Sequence, residues 1–221
     1  MKFTQRDKDY LEKRARMDPD ATIWPLMDQW PLYVGMGNLA RFLSIADLLR
    51  ETAEVPGDVA EIGSWHGANV AWMAKLLQIW EPRSSKVVHC FESFAGLQDG
   101  RYTGDQDKLT QLLTLCGLET HVEIHAGNVR ETLPELLSAD KRLSFSFVYC
   151  DADLFDPTIT ALYALHPHLV KGGRFVFDEW NDPRWQGETL AVREFMHVHG
   201  SAYRMRHVPN QNPTCVLEKI K

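Results

Sequence analysis

The chain has 221 residues, 44% of them hydrophobic and 24% charged, enough for one ordinary domain that buries most of its own surface. Its formal net charge of −6 comes with no basic run, which argues against a phosphate backbone as partner. The apolar stretches are short (the longest, near residues 70–77, is broken by Lys75), so neither a membrane span nor disorder is expected.

The opening residues 1–9 are polar and carry no signal-peptide pattern, which gives the expectation of a cytoplasmic product. Residues 1–55 read as helical and form a first unit, an N-terminal cap or lid. Within it, Leu39, Phe42, Leu43, Ala46 and Leu49 follow the i, i+3, i+4, i+7 rule, which predicts an amphipathic helix over 38–51. Ile23-Trp-Pro-Leu and Trp30-Pro-Leu-Tyr read instead as an ordered loop packed over something. Val55-Pro-Gly-Asp58 is a turn.

From there to residue 221 the chain reads as one Rossmann-like unit, 56–221. Strands are predicted at 59–63, 86–91, 122–125, 145–150 and 174–178, with helices near 67–80, 105–117, 131–139, 156–169 and 187–199. Such alternation implies an α/β fold with a parallel sheet covered on both faces. Two further strand patterns, 203–208 and 214–220, flank Pro209-Asn-Gln-Asn-Pro213 and read as a hairpin. The expectation is a mostly parallel seven-stranded sheet closed by a C-terminal antiparallel hairpin strand, the outline of a class I methyltransferase.

Open α/β sheets bind ligands at the carboxyl ends of their strands. Those ends here carry Glu61-Ile-Gly, Glu92-Ser, Gly127-Asn, Asp151-Ala-Asp and Asp178-Glu. Like charges repel, so a purely structural sheet has no reason to gather acids there; hydroxyl groups or a metal ion must offset them. Glu61-Ile-Gly-Ser-Trp-His-Gly67 follows the first strand and opens a helix. Gly63 and Gly67 let a backbone approach closely, but the spacing is not that of a dinucleotide loop. Glu92 can accept ribose hydroxyls, although it lies further along than the roughly 20 residues usual after a dinucleotide turn. Asp151, Asp153, Asp178 and Glu179 suit a hard cation such as Mg²⁺, which can lower the pKa of a substrate hydroxyl. The competing reading of Asp153, Asp156 and Thr158 is helix capping. His166, His168, His197 and His199 make poor ligand pairs. Cys90, Cys116, Cys150 and Cys215 form no metal spacing and read as reduced thiols.

In this order and spacing, the segments Val55-Pro-Gly-Asp-Val-Ala-Glu-Ile-Gly-Ser-Trp-His-Gly67, Cys90-Phe-Glu-Ser-Phe-Ala-Gly-Leu97, Thr132-Leu-Pro134, Asp151-Ala-Asp-Leu-Phe-Asp-Pro-Thr158 and Gly172-Gly-Arg-Phe-Val-Phe-Asp-Glu179 resemble the macrocin O-methyltransferases. Those are S-adenosylmethionine-dependent enzymes that methylate sugar hydroxyls in natural-product biosynthesis, and the resemblance spans about 55–193. It implies that Glu61, Gly63, Ser64 and Gly67 hold the methionine part of the cofactor. Glu92, Ser93 and Phe94 would hold its ribose and adenine edge, with Gly127 and Asn128 near the adenine and Asp151 beside the cofactor. Asp151, Asp178 and Glu179 match the metal ligands, and Asp153 matches the general base; should Asp153 not serve, His66 is the next candidate on chemical grounds. The chain departs from the family pattern at Ala152, Phe155, Pro157 and Glu179. The partner implied is a small molecule containing a sugar; a homo-oligomer is left open. Two other readings stand beside this one. Asp151-Ala-Asp153 also resembles the DxD of glycosyltransferases that bind nucleotide sugars, and a cofactor-binding protein without catalysis fits the same turns.

Overall fold

In the computed structural model, residues 5–17, 23–97, 99–208 and 214–221 are described. The chain begins with α1 (Gln5–Met17), α2 (Ile23–Asp28), a 3-10 turn (Trp30–Leu32) and α3 (Met36–Arg50). Thus 23–28 and 30–32 are helical, where the sequence suggested a loop. The apolar side chains of Ile23, Leu26, Leu32 and Tyr33 face outward rather than cover a core. The helix expected over 38–51 is α3. Its apolar positions recur at helical spacing, and Ile45, Leu48 and Leu49 are buried against the sheet layer.

The alternating region supplies β1 (Asp58–Ile62), α4 (Ala68–Trp80), β2 (Val88–Glu92), α5 (Gln106–Leu115), β3 (Val122–Ala126), α6 (Val129–Ala139), β4 (Phe145–Cys150), α7 (Phe155–Leu165), β5 (Leu169–Phe177) and α8 (Gln186–His199). The chain finishes with β6 (Tyr203–His207) and β7 (Cys215–Lys219). The seven strands form one sheet in the order β3-β2-β1-β4-β5-β7-β6. Strands β1 to β5 run parallel, and β7 lies antiparallel between β5 and β6. The predicted turn at 209–213 lies outside the described residues.

Successive strand residues face opposite sides, and both sides are dry. Val59, Val88, Cys90, Phe147, Tyr149, Val176 and Val216 share one core with α3, α4 and α5. Ala60, Ile62, Phe91, Val148, Cys150, Phe175, Phe177 and Leu217 share the other with α6, α7 and α8. One boundary differs from expectation. The helix predicted over 156–169 stops at Leu165, and β5 starts at Leu169 rather than near 174. The apolar run through this segment is readable at either period. No described helix is long and apolar enough to cross a membrane.

Candidate active site

The strand order reverses between β1, which continues to β2 and β3, and β4, which continues to β5. This is the switch point at which open α/β sheets form their binding crevice. The backbone around it is tightly constrained. Gly63 has φ +81°, and a Cβ there would stand 2.3 Å from the Asp151 carbonyl oxygen. Glycine is therefore required by the end of β4 passing close by, whatever the turn binds. Among the described residues, five non-glycine residues adopt positive φ, namely Trp65, Phe94, Tyr102, Asp153 and Asn181. All five lie in loops following the carboxyl ends of strands, and strain of this kind gathers at functional sites.

Glu61 is fully buried. Its Oε1 accepts a 2.8 Å hydrogen bond from the Asn69 side-chain amide, while Oε2 is buried with no partner. Burial, reinforced by the charge of Asp151, pushes its carboxyl up to about 8. Glu92 closes the neighbouring turn. Its Oε2 accepts from the Trp65 N–H at 2.6 Å, and its Oε1 accepts from the Phe94 N–H at 2.9 Å and the Ser93 hydroxyl at 3.2 Å. A carboxylate offers about four acceptor positions, so Glu92 keeps about one for a ribose hydroxyl where the sequence suggested two. Ser64 is buried beside the turn, and Gly67, at φ +76°, packs where a Cβ would strike Leu109. Gly127 also has positive φ, and its N–H bonds to the Glu92 carbonyl. Asn128 caps α6 by accepting from the Arg130 N–H at 3.0 Å.

The acids after β4 and β5 do converge, and a basic residue that no sequence pattern singled out stands among them. Arg41 of α3 reaches Asp151 Oδ2 through Nη1 and Asp178 Oδ2 through Nη2, both at 3.2 Å. Asp178 is 3% exposed, and its Oδ1 has no partner. Burial, with Asp151 and Glu188 nearby, holds Asp178 far above the usual carboxylate range. Glu188, in the first turn of α8, is fully buried. It accepts from the Glu179 N–H at 2.8 Å through Oε2 and leaves Oε1 without a partner. Burial raises Glu179 to about 7, with the charge of Asp153 adding to it, and raises Asp153 to about 6, with Asp151 adding to it. Asp153 does not cap α7: the capping position is Leu154, and no side chain caps that helix. The Arg41 guanidinium thus pairs with Asp151 and Asp178 and acts on Glu61 and Asp153, while Glu179 and Glu188 add further negative charge to the same cluster. The oxygens of Asp151, Asp178 and Glu179 do not come together as a set of three within 4.8 Å of one another.

An exposed aromatic wall borders this crevice. Trp65 is 47% exposed and donates from Nε1 to the Thr103 carbonyl at 3.3 Å. It lies against His66 and, edge-on, against Tyr102, which in turn meets Trp185. The Arg101 guanidinium sits over the rings of Tyr102 and Trp185. Sequence reasoning missed Arg41, Glu188 and this wall. Their partners are remote in sequence, and only the Gly63–Gly67 turn, which carries Trp65 and His66, hinted at any of them.

A seven-stranded sheet in this order, with acids at the carboxyl ends of β1, β2, β4 and β5, is a class I methyltransferase. Residues 2–213 match the family described as macrocin-O-methyltransferase (TylF), and the chain belongs to that family. It is accordingly an S-adenosylmethionine-dependent O-methyltransferase, which sets aside the glycosyltransferase reading of Asp151-Ala-Asp153. A search of curated proteins finds no match. Among solved structures, CalS11, a calicheamicin methyltransferase, is similar at 24% identity and TM-score 0.80, over 99% of this chain and 94% of CalS11. Its apo structure, described as a TDP-rhamnose 3′-O-methyltransferase, aligns at 23% identity and TM-score 0.76, over 99% and 96%. The O-methyltransferase NovP is similar at 18% identity and TM-score 0.69, over 82% and 80%. An O-methyltransferase from Bacillus cereus in complex with SAH aligns at 15% identity and TM-score 0.56, over 99% and 92%. The crevice fits the cofactor: the unpartnered, buried Glu61 Oε2 is an acceptor that the cofactor's ammonium would satisfy. An all-oxygen donor set with Asp178 Oδ1 unpartnered likewise has the chemistry for Mg²⁺, provided Arg41 gives way and the three carboxylates draw together.

Proposed function

We propose that this enzyme methylates a hydroxyl of a sugar, either nucleotide-linked or attached to a small natural product, with Asp153 as general base and a divalent cation at Asp151, Asp178 and Glu179. The observation that carries this reading is the Asp151–Asp153 turn beside Asp178, at the switch point of a chain in the macrocin-O-methyltransferase family. When bound, S-adenosylmethionine supplies a methyl group on a positively charged sulfur. Glu61, Gly63, Ser64 and Gly67 hold its methionine portion. Glu92, Ser93, Phe94, Gly127 and Asn128 line its ribose and adenine portion, and Asp151 lies next to it.

A sugar hydroxyl is too weak an acid to ionise unaided near neutral pH. Asp153 receives its proton as the oxygen attacks, a step typically worth 10²–10⁴-fold. Asp153 is half-buried, and among the described residues no hydrogen bond commits its carboxylate elsewhere, whereas Asp151 is engaged by Arg41. A raised pKa makes Asp153 a stronger base while leaving it mostly ionised at pH 7. A divalent cation held by Asp151, Asp178 and Glu179 would supply Lewis acidity to the acceptor hydroxyl. In its absence the Arg41 guanidinium neutralises part of the same charge. Helices α1 to α3 act as the cap of the crevice, with Arg41 as their contact to it.

The test is methyl transfer from S-adenosylmethionine to a panel of nucleotide-linked deoxysugars and glycosides, with and without exhaustive chelation. Methylated sugar that disappears on chelation and returns with Mg²⁺ is expected. Full turnover under chelation removes the metal from the proposal. Methylation of only non-sugar hydroxyls removes the sugar.

A further inference from the structure

The strands that border the cofactor crevice on one side also carry a histidine-rich cluster that methyl transfer does not use. His89 of β2 pairs in register with Glu123 of β3, and His125 lies two residues further along β3, paired with Phe91. Residues two apart on a strand share a face, so all three side chains project from the same side of the sheet. His89 Nδ1 and His125 Nε2 are 2.9 Å apart. Glu123 Oε2 stands 3.8 Å from His89 Nδ1, and Glu123 Oε1 stands 3.9 Å from His125 Nε2. Among the described residues this is the one trio of His, Cys, Asp or Glu whose ligand atoms all lie within 4.8 Å of one another.

We infer that His89, Glu123 and His125 form a binding site for a zinc-type divalent cation, separate from the methyl-transfer crevice, that clamps the edge strand β3 to β2. A tetrahedral zinc site with Zn–N bonds near 2.0–2.1 Å has donor–donor edges of about 3.3 Å. The observed separations of 2.9 to 3.9 Å bracket that value, so the ion needs shifts of only a few tenths of an ångström. The other nitrogen of His89, Nε2, faces Asp58 Oδ2 at 3.4 Å. A carboxylate on the far nitrogen orients a metal-binding imidazole and places the free lone pair on Nδ1, toward the trio. Asp58 is itself fixed, because its Oδ1 accepts from the Val87 N–H at 3.0 Å. The His125 ring stacks on Phe91 at 4.5 Å, which sets its orientation. Entry is open: the Glu123 side chain is 56% exposed on a strand with no further neighbour. Two imidazoles and one carboxylate favour zinc or its transition-metal neighbours over Mg²⁺ and leave a fourth position for water.

An imidazole–imidazole hydrogen bond alone would give the same 2.9 Å contact, so the experiment has to separate the two. The full chain is stripped with chelator, dialysed, and titrated with Zn²⁺ under elemental counting, and with Co²⁺ followed by visible absorption. One Zn²⁺ per chain with micromolar or tighter affinity, and a Co²⁺ spectrum typical of four-coordination, are expected. His125→Gln should weaken binding at least tenfold and Glu123→Gln less so. Both substitutions are at partly exposed positions and should leave circular dichroism and S-adenosylhomocysteine binding unchanged; that last readout keeps the result independent of the methyl-transfer assignment. Asp151→Asn should retain the zinc. Absence of zinc at micromolar concentration overturns the inference in favour of a plain hydrogen-bonded pair. Undiminished binding in His125→Gln also overturns it, because the ion is then held elsewhere.

Discussion

Arg41 is the residue whose chemistry most changes the picture drawn from sequence. Its guanidinium spans Asp151 and Asp178 at 3.2 Å each, across more than a hundred residues of chain, and nothing in the pattern of α3 distinguishes it from an ordinary surface arginine. If it shares the place of a divalent cation, removing its charge should strengthen metal binding. Arg41→Met is expected to tighten Mg²⁺ on the order of tenfold or more, since a fixed positive charge within a few ångströms opposes the ion. Calorimetric titration of both proteins measures this, and equal affinities would mean that guanidinium and ion do not compete. Asp153 gives the complementary expectation. Asp153→Asn should keep cofactor and Mg²⁺ binding and lose roughly 10²–10⁴-fold in single-turnover rate. A wild-type rate would move the base elsewhere, with His66 the next residue to test. Gly63, by contrast, is a poor probe of cofactor binding. A Cβ at this position collides with the Asp151 carbonyl, so Gly63→Val disturbs the turn before any ligand arrives.

At the scale of elements, most of the fold could be read from periodicity. The five parallel strands and their helices fall close to expectation except at the α7–β5 boundary, because a doubly covered sheet needs short apolar runs separated by amphipathic helices. The readings fail where one composition serves two structures. Proline and aromatics over 23–33 suggested loop, yet Pro25 and Pro31 stand early in their helical turns, where the missing N–H costs nothing. For the site, the acids at strand ends were legible because strand ends are local features. Arg41 and Glu188 were not, since each acts across tertiary contacts. The start of α8 ties element to site. An ideal Cβ on Gly187 would lie 2.5 Å from the Phe155 nitrogen and 2.9 Å from the Asp153 carbonyl oxygen. Both neighbours are backbone and cannot swing aside. Gly187→Ala is therefore expected to push α8 from the 153–155 turn, costing about 1–3 kcal/mol. Because Asp153 moves with that turn, turnover should fall while cofactor affinity holds. Denaturant titration and single-turnover kinetics check the two halves.

For the whole molecule, the concentration of buried acids at one end of the sheet sets how stability responds to pH. Glu61 is the clearest case. Its carboxyl rises from an ordinary value near 4.5 to about 8, through burial first and then the charge of Asp151, with the Asn69 amide and Arg41 acting in the opposite direction. Between those values the folded chain holds a proton that the unfolded chain has released. Stability from this group is therefore full below about 4.5 and declines as pH rises toward 8. Thermal unfolding of the ligand-free protein should show a falling midpoint over that window. A saturating ligand that binds only the folded state should raise the midpoint throughout, and S-adenosylmethionine, whose ammonium can face Glu61, should raise it most at the upper end. A midpoint that climbs from pH 5 to 8 would contradict the assignment of Glu61 as a carboxyl buried without a matching cation.

The placement of β7 has a consequence for biosynthesis. Its residues Cys215, Val216 and Leu217 are wholly buried, and the strand sits inside the sheet, between β5 and β6. A nascent chain that has completed β5 still exposes an unpaired edge, and the strand that covers it comes about 40 residues later, several seconds at a translation rate of roughly 5–20 residues per second. During that interval the edge of β5 at Phe175, Val176 and Phe177, paired with β4 on one side, lacks its β7 partner on the other. The parallel part of the sheet is synthesised first but cannot close its edge until β7 is free of the ribosome, so a nonsense codon anywhere in β7 should yield insoluble protein.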